Sequence, residues 1–259
     1  MTRTIVALIA LSLSMPLPAQ DSVEGPRANH YLDHLVLGIN DLDTGMDEVQ
    51  RLTGVRPKFD GRDAQLGTHS AVIGLGDMAF LEIMAPDPEA DSSAIDAELK
   101  PRFVDRLANF DDLTPFLWAI GTGNLEKTRW FARRAGSRTS DIRSGSRKRS
   151  WGRTVEWLWV GVDRPESRVM PLFVQWHADT QAPQERAPDG CELTRLEINT
   201  RNFKSVQTLL AAMQIDADPF GADDDSMRFT LECEGREVVF EPVSLIESLP
   251  IPRLPERSK

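Results

Sequence analysis

The sequence predicts an α+β fold in which repeated βαβββ modules form a curved, partly open antiparallel or mixed sheet around a cavity. Three observations predict it. A strand-like run opens three separate segments, residues 31–38, 116–121 and 193–199. A helix-capping residue follows each run (Asp41, Asn124, Asn202), with an apolar residue directly after it (Leu42, Leu125, Phe203). Each copy then closes on β-type runs whose last strand carries a polar residue. Repetition of this kind marks a supersecondary unit that buries its apolar face only against neighbouring copies.

In chain order, residues 1–19 read as a secretory signal: Arg3 supplies a positive start, Ile5 to Met15 an apolar stretch, and Leu17-Pro-Ala19 a small-residue ending. The apolar stretch is shorter than the roughly 20 residues a membrane span needs, which fits a cleaved signal. The mature chain is therefore expected in a periplasm, free of the membrane. A polar linker with Gly25 and Pro26 occupies 20–30, and a pair of modules, 31–86 and 114–179, forms the main domain, 31–179.

In module one the helix uses Leu42, Met46, Val49 and Leu52 as one face and stops at Gly54. Runs 68–75 and 78–84 flank Gly76-Asp77, a hairpin signal. The acidic connection 87–113 holds a short helix near 94–107. Module two has a helix over 125–135 stopped by Gly136, a long Arg- and Ser-rich loop at 137–150, and strands 154–162 and 169–177 joined by a turn at 163–165. A linker, 180–190, leads to a third βαβββ-like module, 191–245. That module has a helix over 203–213 and a hairpin turning at Glu234-Gly235; an extended tail, 246–259, follows. Two modules side by side enclose a cavity; the third packs outside them or pairs across a homodimer.

The net charge of −10 and pI near 5.0 argue against general affinity for nucleic acid or anionic membrane. Locally the sign reverses, with eight basic residues between Arg133 and Arg153. Such a loop is either solvated or holds an anionic substrate by bidentate pairing. Cys191 and Cys233 flank the first and later strands of module three. An oxidising compartment permits a bridge between them, and buried free thiols are the alternative. No Gly-rich phosphate loop, Ser-His-Asp spacing or CxxC pattern occurs.

Gly38 and Asp41 of module one match Gly121 and Asn124 of module two, which sets His34 opposite Leu117. The closing run 81–86 resembles 174–179 and matches Glu82 to Gln175, while Gly235 matched to Gly76 sets Glu241 against Glu82. An unpaired buried carboxylate is costly, so recurring glutamate points to chemistry rather than packing. His34 and Glu82, from the first and last strands of one module, suit a divalent metal (Zn, Fe, Mn or Ni), with Gln175 as a neutral oxygen donor. His69 is a further candidate on the intervening strand, and His177 shares a strand face with Gln175. The same residues also suit a metal-free polar pocket. Of the six tryptophans, all in module two, Trp157, Trp159 and Trp176 suit a cavity wall beside His177, whereas Trp118 and Trp130 suit the core.

The runs Leu32-Asp-His-Leu-Val-Leu, Leu66-Gly-Thr-His-Ser-Ala and Phe80-Leu-Glu-Ile-Met-Ala-Pro, with Pro115-Phe-Leu-Trp-Ala-Ile and Pro171-Leu-Phe-Val-Gln-Trp, resemble the glyoxalase-like branch of the vicinal-oxygen-chelate superfamily over roughly 31–178. That superfamily builds paired βαβββ modules around a metal-centred cavity and includes glyoxalases, extradiol dioxygenases, epimerases and ligand-binding resistance proteins. With the signal-like segment giving export, the resemblance implies a protein that binds a small oxygen-bearing molecule, with His34, Glu82 and Gln175 as metal or substrate ligands. An enzyme of this type is a divalent-metal-dependent lyase, isomerase or dioxygenase in which Glu82 or His69 moves a proton. The alternative is a non-catalytic sequestering or sensing protein of the same fold. Leu117 departs from the glyoxalase I pattern, and the fold by itself does not fix a reaction.

Overall fold

Helix starts follow the capping residues in the first two modules. Asp41 accepts a hydrogen bond from the Thr44 amide at 2.8 Å and opens α1 (Leu42–Thr53). Asn124 does the same for the Lys127 amide at 2.9 Å and opens α3 (Leu125–Arg134). Gly54 ends α1 in the left-handed region, φ 85°, where a glycine carries no Cβ penalty. In the third module α4 (Phe203–Met213) forms, but the Asn202 side chain makes no capping bond. A computed structural model describes residues 30–76, 79–149, 152–162, 169–178 and 182–242. The signal-like segment 1–19, the linker as far as residue 29, the turn at 163–165 and the tail 246–259 lie outside the described residues.

Eight strands surround one cavity. The first half supplies β1 (His30–Gly38), β2 (Lys58–Asp63), β3 (Thr68–Gly74) and β4 (Phe80–Pro86). The second supplies β5 (Thr114–Thr122), β6 (Arg143–Lys148), β7 (Thr154–Gly161) and β8 (Leu172–Trp176). Their order is β1-β4-β3-β2-β6-β7-β8-β5, a closed barrel where a partly open sheet is expected from sequence. Closure runs through β2 and β6, which share one registered pair, Arg62 with Lys148. Gly61 makes that approach feasible: its φ is 150°, and a Cβ there would sit 2.5 Å from the Lys148 carbonyl oxygen.

β6 is the main departure from the sequence reading, which leaves 137–150 as a loop. Its inward positions carry Gly145 and Arg147 and its outward ones Ser144 and Lys148, so it has no apolar alternation to betray it. β2 escapes notice for the same reason, since Asp60 and Asp63 are its buried residues along with Gly61. In the connection, the expected helix over 94–107 reduces to a 3-10 turn, Lys100–Arg102, and one α-turn, α2 (Val104–Leu107). Pro101 sits at the start of the 3-10 turn, where its missing N–H costs nothing, but it cannot donate into a helix running in from 94–100. Leu99 and Phe103 of this connection reach the cavity wall.

The third module forms a separate sheet in the order β10-β9-β11-β12 from β9 (Cys191–Thr200), β10 (Asp218–Gly221), β11 (Ser226–Cys233) and β12 (Arg236–Phe240). Its Leu196, Ile198, Phe229 and Leu231 share one core with the outer-face residues Leu35, Leu37 and Ile83 of the barrel. At roughly 1.5–3 kcal/mol for each large apolar side chain fully buried, this contact holds the module against the barrel. Cys191 and Cys233 stand opposite each other on β9 and β11 and form a disulfide, which decides between the bridge and free thiols.

Candidate functional site

The barrel interior is polar on one side and aromatic on the other. His34, Asp63 and Glu82 reach it from the first half, Arg147 from the β6 seam, and Trp157, Trp159 and Trp176 from the second half. A bulge on β1 sets up the first of these. Its register against β5 shifts between Leu32 and His34, leaving Asp33 as the extra residue. Bulges re-aim side chains next to functional sites, and here consecutive residues can meet. The Asp33 carboxylate accepts from His34 Nδ1 at 2.6 Å and from Trp176 Nε1 at 2.8 Å. Burial, followed by the nearby Asp33 charge, pushes the Tyr31 phenol up to about 12.

Because a carboxylate only accepts, Nδ1 of His34 carries the proton and Nε2 is the basic nitrogen. Nε2 lies 3.9 Å from Glu82 Oε2, too long for a hydrogen bond. Phe80 stacks on the imidazole with ring centroids 4.7 Å apart. Strand backbone, carboxylate and aromatic ring together hold His34 in one orientation.

Arg147 ties the rest of the polar side together. Its Nη2 donates to Glu82 Oε1 at 2.5 Å and its Nη1 to Asp60 Oδ2 at 2.7 Å. Arg149 Nε lies 3.2 Å from Asp60 Oδ1. Burial pushes the Glu82 carboxyl up, but the Arg147 guanidinium and then His34 draw it down further, so it ends below the ordinary glutamate range. Asp63 goes the other way. Burial outweighs its two backbone donors, Leu66 at 2.9 Å and Gln65 at 3.0 Å, and raises it. Arg147 Nε is buried and has no hydrogen-bond partner among the described residues. Gly145 lies under the Trp157 indole, where a Cβ would fall 2.4 Å from the ring.

Several residues chosen from sequence lie elsewhere. Gln175 faces outward: its Oε1 accepts from the Leu125 amide at 2.7 Å, satisfying an otherwise orphan N–H of α3, while Val174 and Trp176 on either side line the cavity. Strand register gives the better match between halves. Gly38 pairs with Met84 and Gly121 with Val174, so Glu82 corresponds to Leu172 rather than to Gln175. The second half thus has Leu117 and Leu172 where the first has His34 and Glu82.

His69 is half-buried against the edge of Phe59 rather than in the cavity, and burial lowers its pKa. His177 is exposed just past β8, and Glu241 is exposed just past β12. Trp118 is a core residue bonded to the Val169 carbonyl at 2.8 Å, but Trp130 is 52% exposed, with the Arg134 guanidinium over its ring. Asp33, Asp60, Asp63 and Arg147 are missed from sequence. The signal for Arg147 is the module's own count: a βαβββ unit needs a third strand, and only 137–150 has room for it.

The divalent metal implied by the resemblance is not matched by the residues present. Of its expected ligands only His34 and Glu82 face the cavity. Gln175 is turned to α3, leucines hold the second-half positions, and Arg147 already engages a Glu82 oxygen. Among the described residues no group of three or more His, Cys, Asp and Glu side chains is arranged to hold a metal ion.

A family model described as a glyoxalase-like domain matches residues 32–213. No curated protein matches the chain. Among solved structures, a hypothetical protein from Staphylococcus aureus is similar over 82% of this chain and 85% of that one, at 12% identity and TM-score 0.56. A Streptomyces coelicolor methylmalonyl-CoA epimerase in complex with 2-nitronate-propionyl-CoA is 19% identical, covering 57% of this chain and 97% of its own, at TM-score 0.39. The Mycobacterium tuberculosis methylmalonyl-CoA epimerase is 18% identical, with coverage of 56% and 86% and TM-score 0.38. With the family model spanning well over half of the sequence, the chain belongs to the glyoxalase-like domain family.

Proposed function

We propose that the mature chain is an exported protein that binds a small oxygen-bearing molecule, of hydroxycarbonyl, dicarbonyl or catechol type, in the barrel cavity. The observation that carries this is the convergence of His34, Arg147 and Glu82 in a cavity otherwise walled by Trp157, Trp159, Trp176 and Phe80. An apolar wall takes the carbon body while a few placed polar groups fix the oxygens. The signal-like residues 1–19 and the Cys191–Cys233 bridge, a bond that persists in oxidising compartments, support export. Calorimetric titration with hydroxyacetone and 1-hydroxy-2-butanone tests the binding. Saturable binding is expected, tightening about fourfold for the added methylene and weakening in His34→Ala. Heats no larger than dilution for both compounds would sink it.

A second reading is favoured by the Asp33–His34 pair: a lyase or isomerase that moves a proton on the carbon beside the bound carbonyl. Asp33 fixes the tautomer, so that His34 Nε2 is the acceptor for that proton. NMR-detected exchange of deuterium from solvent into hydroxyacetone is the check. Exchange that falls about 100-fold or more in His34→Ala supports catalysis. Binding without exchange leaves a sequestering or sensing protein.

A further inference from the structure

We propose that Arg147 is the resident cation of this cavity, a fixed guanidinium that takes a ligand oxygen and balances charge developing on it where a metal ion would otherwise serve. The inference rests on the binding of a small oxygen-bearing molecule proposed above. Four observations lead to it. Glu82, the carboxylate a metal would need, gives Oε1 to Arg147 at 2.5 Å. Asp60 takes the other terminal nitrogen at 2.7 Å, so the guanidinium plane is held at two points and is charged at every working pH. Its Nε is buried without a partner among the described residues, although the side chain lines the cavity. An unmet buried donor on a charged group is costly, and each terminal nitrogen keeps a second N–H for a ligand oxygen. Finally, the neighbouring strand β2 is fitted around it: a Cβ at Gly61 would lie 2.9 Å from Arg147 Cγ.

The same charges restrict the ligand class. Glu82 and Asp60 already neutralise Arg147, and Asp63 is a third carboxyl on the wall. A molecule that arrives as a carboxylate or phosphate meets these carboxylates without a free cation to hold it. A neutral hydroxycarbonyl meets a donor, and an oxygen that gains negative charge only after proton transfer is met by a guanidinium already in place. The structure therefore assigns neutral hydroxycarbonyl compounds to the site in preference to their acid counterparts.

The experiment uses full-length mature protein purified without a metal-chelating tag, in two arms. In the first, calorimetry compares hydroxyacetone with glycolate, with and without EDTA. Hydroxyacetone affinity unchanged by EDTA, at least tenfold above that of glycolate, and at least tenfold weaker in Arg147→Lys is the expected result. EDTA-sensitive binding restored by zinc, tighter glycolate than hydroxyacetone, or unchanged affinity in Arg147→Lys overturns it. The lysine variant keeps the buried charge, so it guards against loss of fold, which circular dichroism checks. The second arm needs no organic ligand and separates this proposal from the binding hypothesis. Equilibrium dialysis against zinc should show no His34-dependent uptake in the wild type. One zinc per wild-type chain, lost in His34→Ala, overturns Arg147 as the cation. Failure of hydroxyacetone to bind, with the dialysis as expected, counts against the proposed ligand and not against Arg147.

Discussion

The two halves of the barrel share a backbone plan and differ in what they put inside. On matched strand positions the first half carries His34 and Glu82 and the second carries Leu117 and Leu172. The first half adds Asp33, Asp60 and Asp63, all buried, whereas the second adds the indoles of Trp157, Trp159 and Trp176. Two of the second half's cavity residues answer the carboxylates of the first, Arg147 at Glu82 and Asp60 and the Trp176 indole at Asp33. The shared frame thus carries a polar floor on one half and an apolar wall on the other, and β6 carries the charged link between them.

Removing that link should have the largest effect. Arg147→Met leaves Glu82 and Asp60 buried without their cation and is expected to cost about 3–5 kcal/mol by urea denaturation; a loss under about 1 kcal/mol would mean the halves do not depend on this link. Trp176→Phe keeps the apolar wall but removes its bond to Asp33. The expected loss is about 1.5–3 kcal/mol, typical of a hydrogen bond to a charged acceptor, with weaker hydroxyacetone binding as Asp33, the partner of His34, loses one of its anchors. Gly145→Ala intrudes on the Trp157 ring within the second half and should cost about 1–3 kcal/mol, with a change in near-UV circular dichroism. An unchanged spectrum would show that the indole tolerates the methyl.

The smallest effect expected is in pH dependence, where Asp63 and Glu82 have opposite signs. Glu82 is depressed, so its contribution is present above the ordinary glutamate range and is lost as pH falls through its lowered value. Asp63 is raised, so its contribution is present below the ordinary aspartate range and is lost as pH rises through its higher value. Asp63→Asn should therefore flatten the decline in urea midpoint above the usual carboxylate range and leave the acid limb in place. An unaltered profile would show that Asp63 ionises without cost.

The sequence exposes those parts of the molecule whose burial follows apolar periodicity. The helix over residues 203–213 matches α4 because Val206, Leu209, Leu210 and Met213 are all buried on one face. Pattern fails at β2 and β6, since a strand that turns Asp60, Asp63 or Arg147 inward resembles a solvated loop. His34 and Glu82 stand out because charged residues within apolar runs are conspicuous. Gln175 was matched to Glu82 by local likeness of letters, while hydrogen-bond register moves the match three positions, to Leu172. Asp33 stays hidden because strict strand alternation would point it away from His34, and only the bulge brings them together.

The unequal joints between the halves make the barrel resemble a bound book. β1 and β5 form the spine, with eight registered pairs. β2 and β6 form the open edge, fastened by one backbone pair and by the contacts of Arg147 and Arg149 with Asp60. Transient opening costs least where fewest backbone bonds must break, so amide hydrogens along β2 and β6 will exchange with solvent ahead of those along β1 and β5.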